Sequence, residues 1–124
     1  MYYGKKNKYR ACKVELDGNV FDSRKEFSRY CELHQAQENG EISNLRTQVK
    51  YELIPKQKLE EPRLVNGKYQ RNESAITYIA DFVYEKDGKT IVEDVKSAQT
   101  RKLPTYVVKR KLMKYIHNIE LREI

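Results

Sequence analysis

Two carboxylates and one ammonium group stand at a spacing that would gather them on a single surface. Within residues 76–96, Asp81 precedes and Asp94 follows an Asp87-Gly88 dipeptide, a pair that accepts the positive φ of a tight hairpin turn. With a two-residue turn, Lys86 faces Lys89 and Asp81 faces Asp94. Lys96 follows Asp94 at the strand period of two and shares its face. Directly opposed residues have Cβ atoms about 4.5–5.5 Å apart, where like charges repel. The neighbours expected on this face are Ile79, Val83 and Val92, so the carboxylates would emerge from an apolar strip. An unpaired carboxylate there is costly or shifts its pKa, so a cation is expected between the two. Mg²⁺ is held in this way, by one or two carboxylates with water and substrate phosphate. Two alternatives stand beside that reading. A three-residue loop with a bulge at Gly88 would pair Asp81 with Glu93 and turn Asp94 away. A solvated hairpin would carry only a surface ion pair of little worth.

The elements that must position these residues can be read on either side. Ser23 as N-cap with Glu26 three residues on is a capping-box pattern. It opens a helix whose Phe27, Tyr30, Cys31, Leu33 and His34 recur at helical spacing and which ends near Asn39-Gly40. As a cap, Glu26 satisfies a backbone N–H; at the edge of the packed face it can instead point toward Asp81 and Asp94. A strand over residues 46–54 puts Gln48, Lys50, Glu52 and Ile54 on one face and Val49, Tyr51 and Leu53 on the other. Residues 56–75 are polar around an Asn66-Gly67 turn, either a mobile surface loop or a binding flap with a short hairpin at its tip.

Residues 97–102 read as a connector, and Pro104 suits the first turn of a helix running to about His117. Tyr106, Val107, Val108, Leu112, Met113, Tyr115 and Ile116 are its apolar positions, leaving Lys102, Lys109, Arg110 and Lys114 to solvent or a ligand. Residues 119–124 alternate as a last strand. Upstream, residues 13–21 read as a small hairpin turning at Asp17-Gly18, after a loosely extended or disordered arm over residues 1–11. The order is helix, strand, hairpin, helix, strand: an α/β fold with a mixed central sheet flanked by helices.

The chain has 124 residues, enough for a single domain with a modest core, and 35% of them are charged. No apolar run approaches the length of a membrane span and the amino-terminal residues lack the apolar segment of a secretory signal, so a cytoplasmic protein is expected. Cys12 and Cys31 lack metal-ligand spacing and are expected reduced, one of them in the core. His34 and His117 read as packing or surface residues. The net charge of +7 is concentrated in two stretches. One holds Lys5, Lys6, Lys8, Arg10 and Lys13, the other Arg101, Lys102, Lys109, Arg110, Lys111 and Lys114, with no acid in either. The rest of the chain is mildly acidic, so these eleven cations outline a footprint for a polyanion.

Asp81 followed by Asp94-Val95-Lys96 in this element order resembles the core of the PD-(D/E)XK nuclease superfamily, a restriction-endonuclease-like αβββαβ fold. The segments 17–26, 40–45, 78–84 and 92–96 together are similar to a group of small phage and prophage endonuclease-like proteins, and the likeness covers about residues 8–124. Ala80 stands where many members of the superfamily have proline before the first acid. The resemblance implies metal-assisted phosphodiester hydrolysis. Asp81 and Asp94, with the Val95 carbonyl, would hold Mg²⁺ or Mn²⁺, and Lys96 would orient the attacking water and stabilise the charged transition state. Glu26 matches the acid that members often carry on the first helix and would hold a second metal or anchor water; Gln48 would hydrogen-bond water or phosphate. Lys5, Lys6, Lys8, Arg10, Lys102, Lys109, Arg110 and Lys114 would bind backbone phosphates without reading sequence.

The function expected is a divalent-metal-dependent DNA endonuclease acting on double-stranded or branched DNA in phage recombination or genome processing. It would work in the cytoplasm of a bacterial host, with a homodimer as the form two-nick cleavage would favour. The alternatives are a nuclease-fold DNA-binding protein without catalysis and a protein-interaction adaptor with a basic helix.

Overall fold

The computed structural model describes residues 2–6, 12–16 and 19–21 as strands and residues 23–124 in full. The first helix, α1 (Arg24–Glu38), starts where expected: Ser23 is extended, and its Oγ accepts the Glu26 amide over 3.1 Å. Phe27, Tyr30 and Leu33 form its buried stripe, while Cys31 is exposed. Gly40 takes a left-handed φ of 78° as the chain leaves the helix and enters β4 (Ser43–Ile54).

The polar segment after β4 is a long hairpin, β5 (Gln57–Val65) with β6 (Lys68–Glu73), rather than a loop. Its Asn66-Gly67 turn has positive φ at both residues, and the hairpin makes a two-stranded sheet of its own. Because nearly all its side chains are exposed, no alternation of apolar and polar residues announces it. The chain then runs through β7 (Ile76–Lys86) and β8 (Lys89–Asp94). A 3-10 turn over Thr100–Lys102 sits in the expected connector and leads into α2 (Pro104–His117). Asn118 closes that helix in the left-handed region, and β9 (Arg122–Glu123) follows. The last strand is therefore shorter than the 119–124 expected, although the Ile124 amide still bonds the Asp94 carbonyl over 2.9 Å. Upstream, β1 (Tyr2–Lys6), β2 (Cys12–Leu16) and β3 (Asn19–Phe21) form a three-stranded antiparallel sheet. A paired strand over 2–6 thus takes up half of the arm expected to be loosely extended. The hairpin placed at 13–21 is matched by the pairing of Leu16 with Asn19.

The central sheet has the order β4-β7-β8-β9 and is mixed, with β9 parallel to β8 across α2. Around it the succession is helix, three strands, helix, strand. One face packs on α1 through Phe27, Tyr30, Leu33, Ile42, Phe82, Tyr84 and Ile91. The other packs on α2 through Leu53, Tyr78, Ala80, Val83, Val92, Tyr106 and Met113.

These two clusters expose an interruption in the pleat. In a regular strand Ala80 and Phe82 would share a face, yet Phe82 packs with α1 while Ala80 and Val83 pack with α2. The switch falls at Asp81. Directly across from it, between the pairs Thr47–Phe82 and Val49–Ala80, Gln48 has a φ of 53°, rare for a residue with a side chain. The break turns Ile79 out to solvent, 52% exposed, and brings Tyr78 under the sheet in its place. Ile79 therefore does not flank the acids as expected; Val83 and Val92 do stay on the α2 face. Val108, Tyr115 and Ile116 also point outward, because α2 buries a stripe centred on Tyr106 and Met113.

Candidate active site

The β7–β8 turn takes the two-residue form. Asp87 and Gly88 both have positive φ, Lys86 pairs with Lys89, and the ladder runs regularly to Phe82–Glu93, one step from Asp81 and Asp94. The bulged alternative, which would have turned Asp94 away, is excluded by that register.

Asp94 is 1% exposed. Tyr78 donates its hydroxyl to Asp94 Oδ2 over 2.5 Å, and the Lys96 ammonium stands 3.3 Å from the same oxygen. Burial, reinforced by the neighbouring Asp81 carboxylate, pushes the Asp94 carboxyl up to about 7, against the opposing pull of Tyr78 and Lys96. Lys96 Nζ also lies 4.9 Å above the centre of the Tyr106 ring, a cation–π contact that holds the ammonium over the site. Its own carbonyl accepts from Lys25 Nζ over 3.2 Å, which ties the segment after β8 to α1.

Asp81 is held from two sides. Its Oδ2 accepts the Val95 amide over 2.9 Å, and its Oδ1 accepts from Gln48 Nε2 over 3.3 Å. The same Gln48 nitrogen donates to Glu26 Oε1 over 3.1 Å, so one side-chain amide spans a carboxylate on α1 and another on β7. Glu26 is buried, and its amide rather than its carboxylate meets the Ser23 cap. Glu26, Gln48, Asp81, Asp94, Val95 and Lys96 thus come together. Val95, expected to contribute its carbonyl, meets the group through its N–H.

Among the described residues no cluster of three or more His, Cys, Asp and Glu side chains has metal-holding geometry. Gln48 stands between Glu26 and Asp81, which leaves Asp81 and Asp94 as the pair whose charges act directly on each other. Two hard-oxygen carboxylates, one raised by burial and by the other, share a single ammonium group. That donor set fits Mg²⁺ or Mn²⁺, which need one or two carboxylates when water and phosphate complete the shell.

The expected phosphate-binding residues separate into groups. Lys102 is exposed, and Lys109 lines a groove with Lys96. Arg110 lies 3.9 Å from Glu123, which Tyr106 also engages, and Lys114 bonds Asn118 and Glu120. The acids that follow α2 fold back on its basic side, so these two cations are partly neutralised within the chain. Lys5 and Lys6 lie in β1, whose side chains, like that of Cys12, are outside the description; Lys8 and Arg10 lie outside the described residues.

Sequence reasoning missed Tyr78, Tyr106, Arg29 and Glu93. Tyr78 escaped because regular alternation would put it on the face away from Asp94. Glu93 is 1% exposed on the α1 face, where Arg29 Nε and Nη2 hold its two oxygens over 2.8 and 2.6 Å. Tyr84 donates its hydroxyl to the same carboxylate. Burial, with Glu93, pushes the Tyr84 hydroxyl up to about 12. The signal available was Glu93 itself, the acid beside Asp94, which has to point to the opposite face. His117 accepts no such role: its ring bonds the Glu52 carbonyl and packs edge-on against Tyr51.

Fold and site together define a small mixed α/β domain with a carboxylate pair, one member buried and one half-buried, and a tethered lysine on its central sheet. The family model described as "Protein of unknown function (DUF1064)" matches residues 6–123, and the chain belongs to that family. No curated protein and no solved structure matches the chain. Among the described residues no helix is long and apolar enough to cross a membrane.

Proposed function

We propose that this protein is a divalent-metal-dependent DNA endonuclease of the PD-(D/E)XK type. The observation that carries the reading is the meeting of Asp81, Asp94 and Lys96 at a point where two carboxylates share one ammonium. The succession α1, β4, β7, β8, α2, β9 supports it as well, since it follows the αβββαβ order with β5–β6 as an insertion. Mg²⁺ or Mn²⁺ held by Asp81 and Asp94 supplies Lewis acidity toward the scissile phosphate and a more acidic water. Lys96, steadied by Asp94 and the Tyr106 ring, offers its ammonium to the charge that develops on the phosphate. Gln48 orients Asp81, and Glu26 at the far end of the same amide anchors water or a second cation. Lys102 and Lys109 hold flanking backbone phosphates, contacts that position DNA without reading its sequence. Branched DNA of phage recombination, cut in a bacterial cytoplasm by a symmetric pair of subunits, is the setting that the endonuclease-like resemblance favours.

The test is incubation with plasmid, linear and four-way-junction DNA in Mg²⁺, Mn²⁺ or EDTA. Cleavage is expected only with metal and is expected to vanish in Asp94→Ala and Lys96→Ala. Tight, salt-sensitive binding without cutting would make the protein a DNA-binding module instead. Neither binding nor cutting would leave the adaptor reading.

A further inference from the structure

Beside the carboxylate pair lies a groove of about 500 Å³ between the amino-terminal half of β7 and the start of α2. Tyr78 and Lys96, the two residues that hold Asp94, form its inner wall. Its outer wall is apolar and open: Ile79 is 52% and Leu103 51% exposed. A second depression of about 320 Å³ continues it past Pro104 to Ile76 and Val108, which are exposed as well. Lys109 borders both. Among the described residues lining the two there are lysines and no carboxylate.

An apolar channel with cationic edges suits a ligand that is flat and apolar at one end and anionic at the other. A nucleotide has that form; a fully stacked duplex does not offer it, because its bases are turned inward and only its phosphates reach the wall. Chemistry on nucleic acid commonly draws on unstacked bases seated against apolar or aromatic side chains. We propose that the groove seats the base of an unpaired nucleotide next to the scissile bond, between Ile79 and Leu103, with a phosphate of that nucleotide on Lys109. The assignment rests on the nuclease reading and narrows it: the preferred substrate carries an unpaired or extruded nucleotide at the site, and a perfect duplex is bound less well. The break in the pleat at Asp81 gives Ile79 its place here, since regular alternation would have turned it in toward the acids.

Fluorescence anisotropy in EDTA, where no cutting is expected, tests the assignment with a labelled duplex and the same duplex carrying one unpaired nucleotide. The wild-type protein should bind the second about tenfold more tightly, the lower end of what seating one base on an aromatic platform gives. Ile79→Ser and Leu103→Ser, both at exposed positions, should lose that preference while keeping affinity for the paired duplex. Leu64→Ser, on the exposed β5–β6 hairpin and outside the groove, should keep it. Equal affinity for the two DNAs, or a preference that survives both groove substitutions, would overturn the assignment. Metal-dependent cutting of both DNAs at one rate would do so too, yet leave the nuclease reading standing. Failure to bind either DNA would overturn both. A change from dimer to monomer on Ile79→Ser, with DNA preference intact, would give the groove to a second copy of the chain and sink the nucleotide.

Discussion

Gln48 sits directly across the β4–β7 ladder from Asp81 and donates its side-chain amide to that carboxylate, from a backbone held at a φ of 53°. A non-glycine residue in this region carries strain of about 1–3 kcal/mol. Glycine would relieve the strain and remove the amide, so the two effects can be separated. Gln48→Gly is expected to match the wild type in urea unfolding or exceed it by about 1 kcal/mol, while metal-dependent cleavage falls about tenfold or more as Asp81 loses its orientation. Gln48→Val should be destabilised, since a β-branched residue tolerates positive φ poorly. Unchanged cleavage in Gln48→Gly would remove Gln48 from the site.

Tyr78→Phe tests the buried hydroxyl. Burial first, and then the Asp94 carboxylate, raise the Tyr78 hydroxyl far above its ordinary range, so it remains a proton donor at any working pH. Losing it leaves a buried carboxylate with one donor fewer, at a cost of about 1–3 kcal/mol. The Asp94 carboxyl should then titrate higher still, because Tyr78 lowers it in the intact protein. Cleavage measured against pH at fixed Mg²⁺ should therefore need more alkaline conditions. A pH profile that superimposes on that of the wild type would count against any coupling between Tyr78 and the site.

Much of this arrangement is legible from residue types. Asp87-Gly88 announces a turn with two positive φ values, and the ladder register follows from it. Ser23 and Glu26 mark the start of α1, and Pro104 the start of α2. What could not be read is the pleat break, because glutamine gives no sign that it will adopt a left-handed backbone. The residues of β7 that precede the break were misplaced with it: Ile79 came out of the strip, and Tyr78 went under Asp94. The β5–β6 hairpin was half-visible for a different reason. Its turn has a sequence signature, but strands with no buried face leave no periodic trace. The exposed apolar residues of α2 misled in the opposite direction, since Val108 and Ile116 look like core, yet both are exposed and a groove lies beside Val108.

Asp94 also predicts how stability depends on pH. Burial, with Asp81 beside it, pushes its carboxyl up to about 7 in the folded protein, against about 3.9 for an exposed aspartate. Between those values the folded chain keeps a proton that the unfolded chain has released. Stability from this group is thus full below about pH 4 and declines as pH rises toward about 7, by at most about 4 kcal/mol at roughly 1.4 kcal/mol per unit. Metal-free wild-type protein should lose thermal stability from pH 5 to pH 8 more steeply than Asp94→Asn, which has no proton to lose. Adding Mg²⁺ at pH 8 should recover stability in the wild type and not in the variant, because only the wild type gains a ligand on folding. Parallel pH profiles for the two proteins would mean that the carboxyl is not raised.

The Arg29–Glu93 pair makes a prediction about the fold that is independent of any activity. Glu93 is fully buried on the α1 face and is held by both arms of the guanidinium and by Tyr84, while Arg29 remains partly in solvent and also reaches Glu32. The carboxylate in turn raises the arginine further above its ordinary value, so the guanidinium stays charged throughout the accessible range. Removing one partner of such a pair strands the other charge. Arg29→Met is therefore expected to destabilise the protein by about 3–5 kcal/mol. The double variant Arg29→Met with Glu93→Leu, which removes both charges and fills the space with apolar atoms, should recover most of that loss. Denaturant unfolding of the four proteins forms a double-mutant cycle in which the coupling between the residues is read directly. If Arg29→Met unfolds at the same denaturant concentration as the wild type, or the double variant is no more stable than Arg29→Met, the clamp does not hold α1 on the sheet.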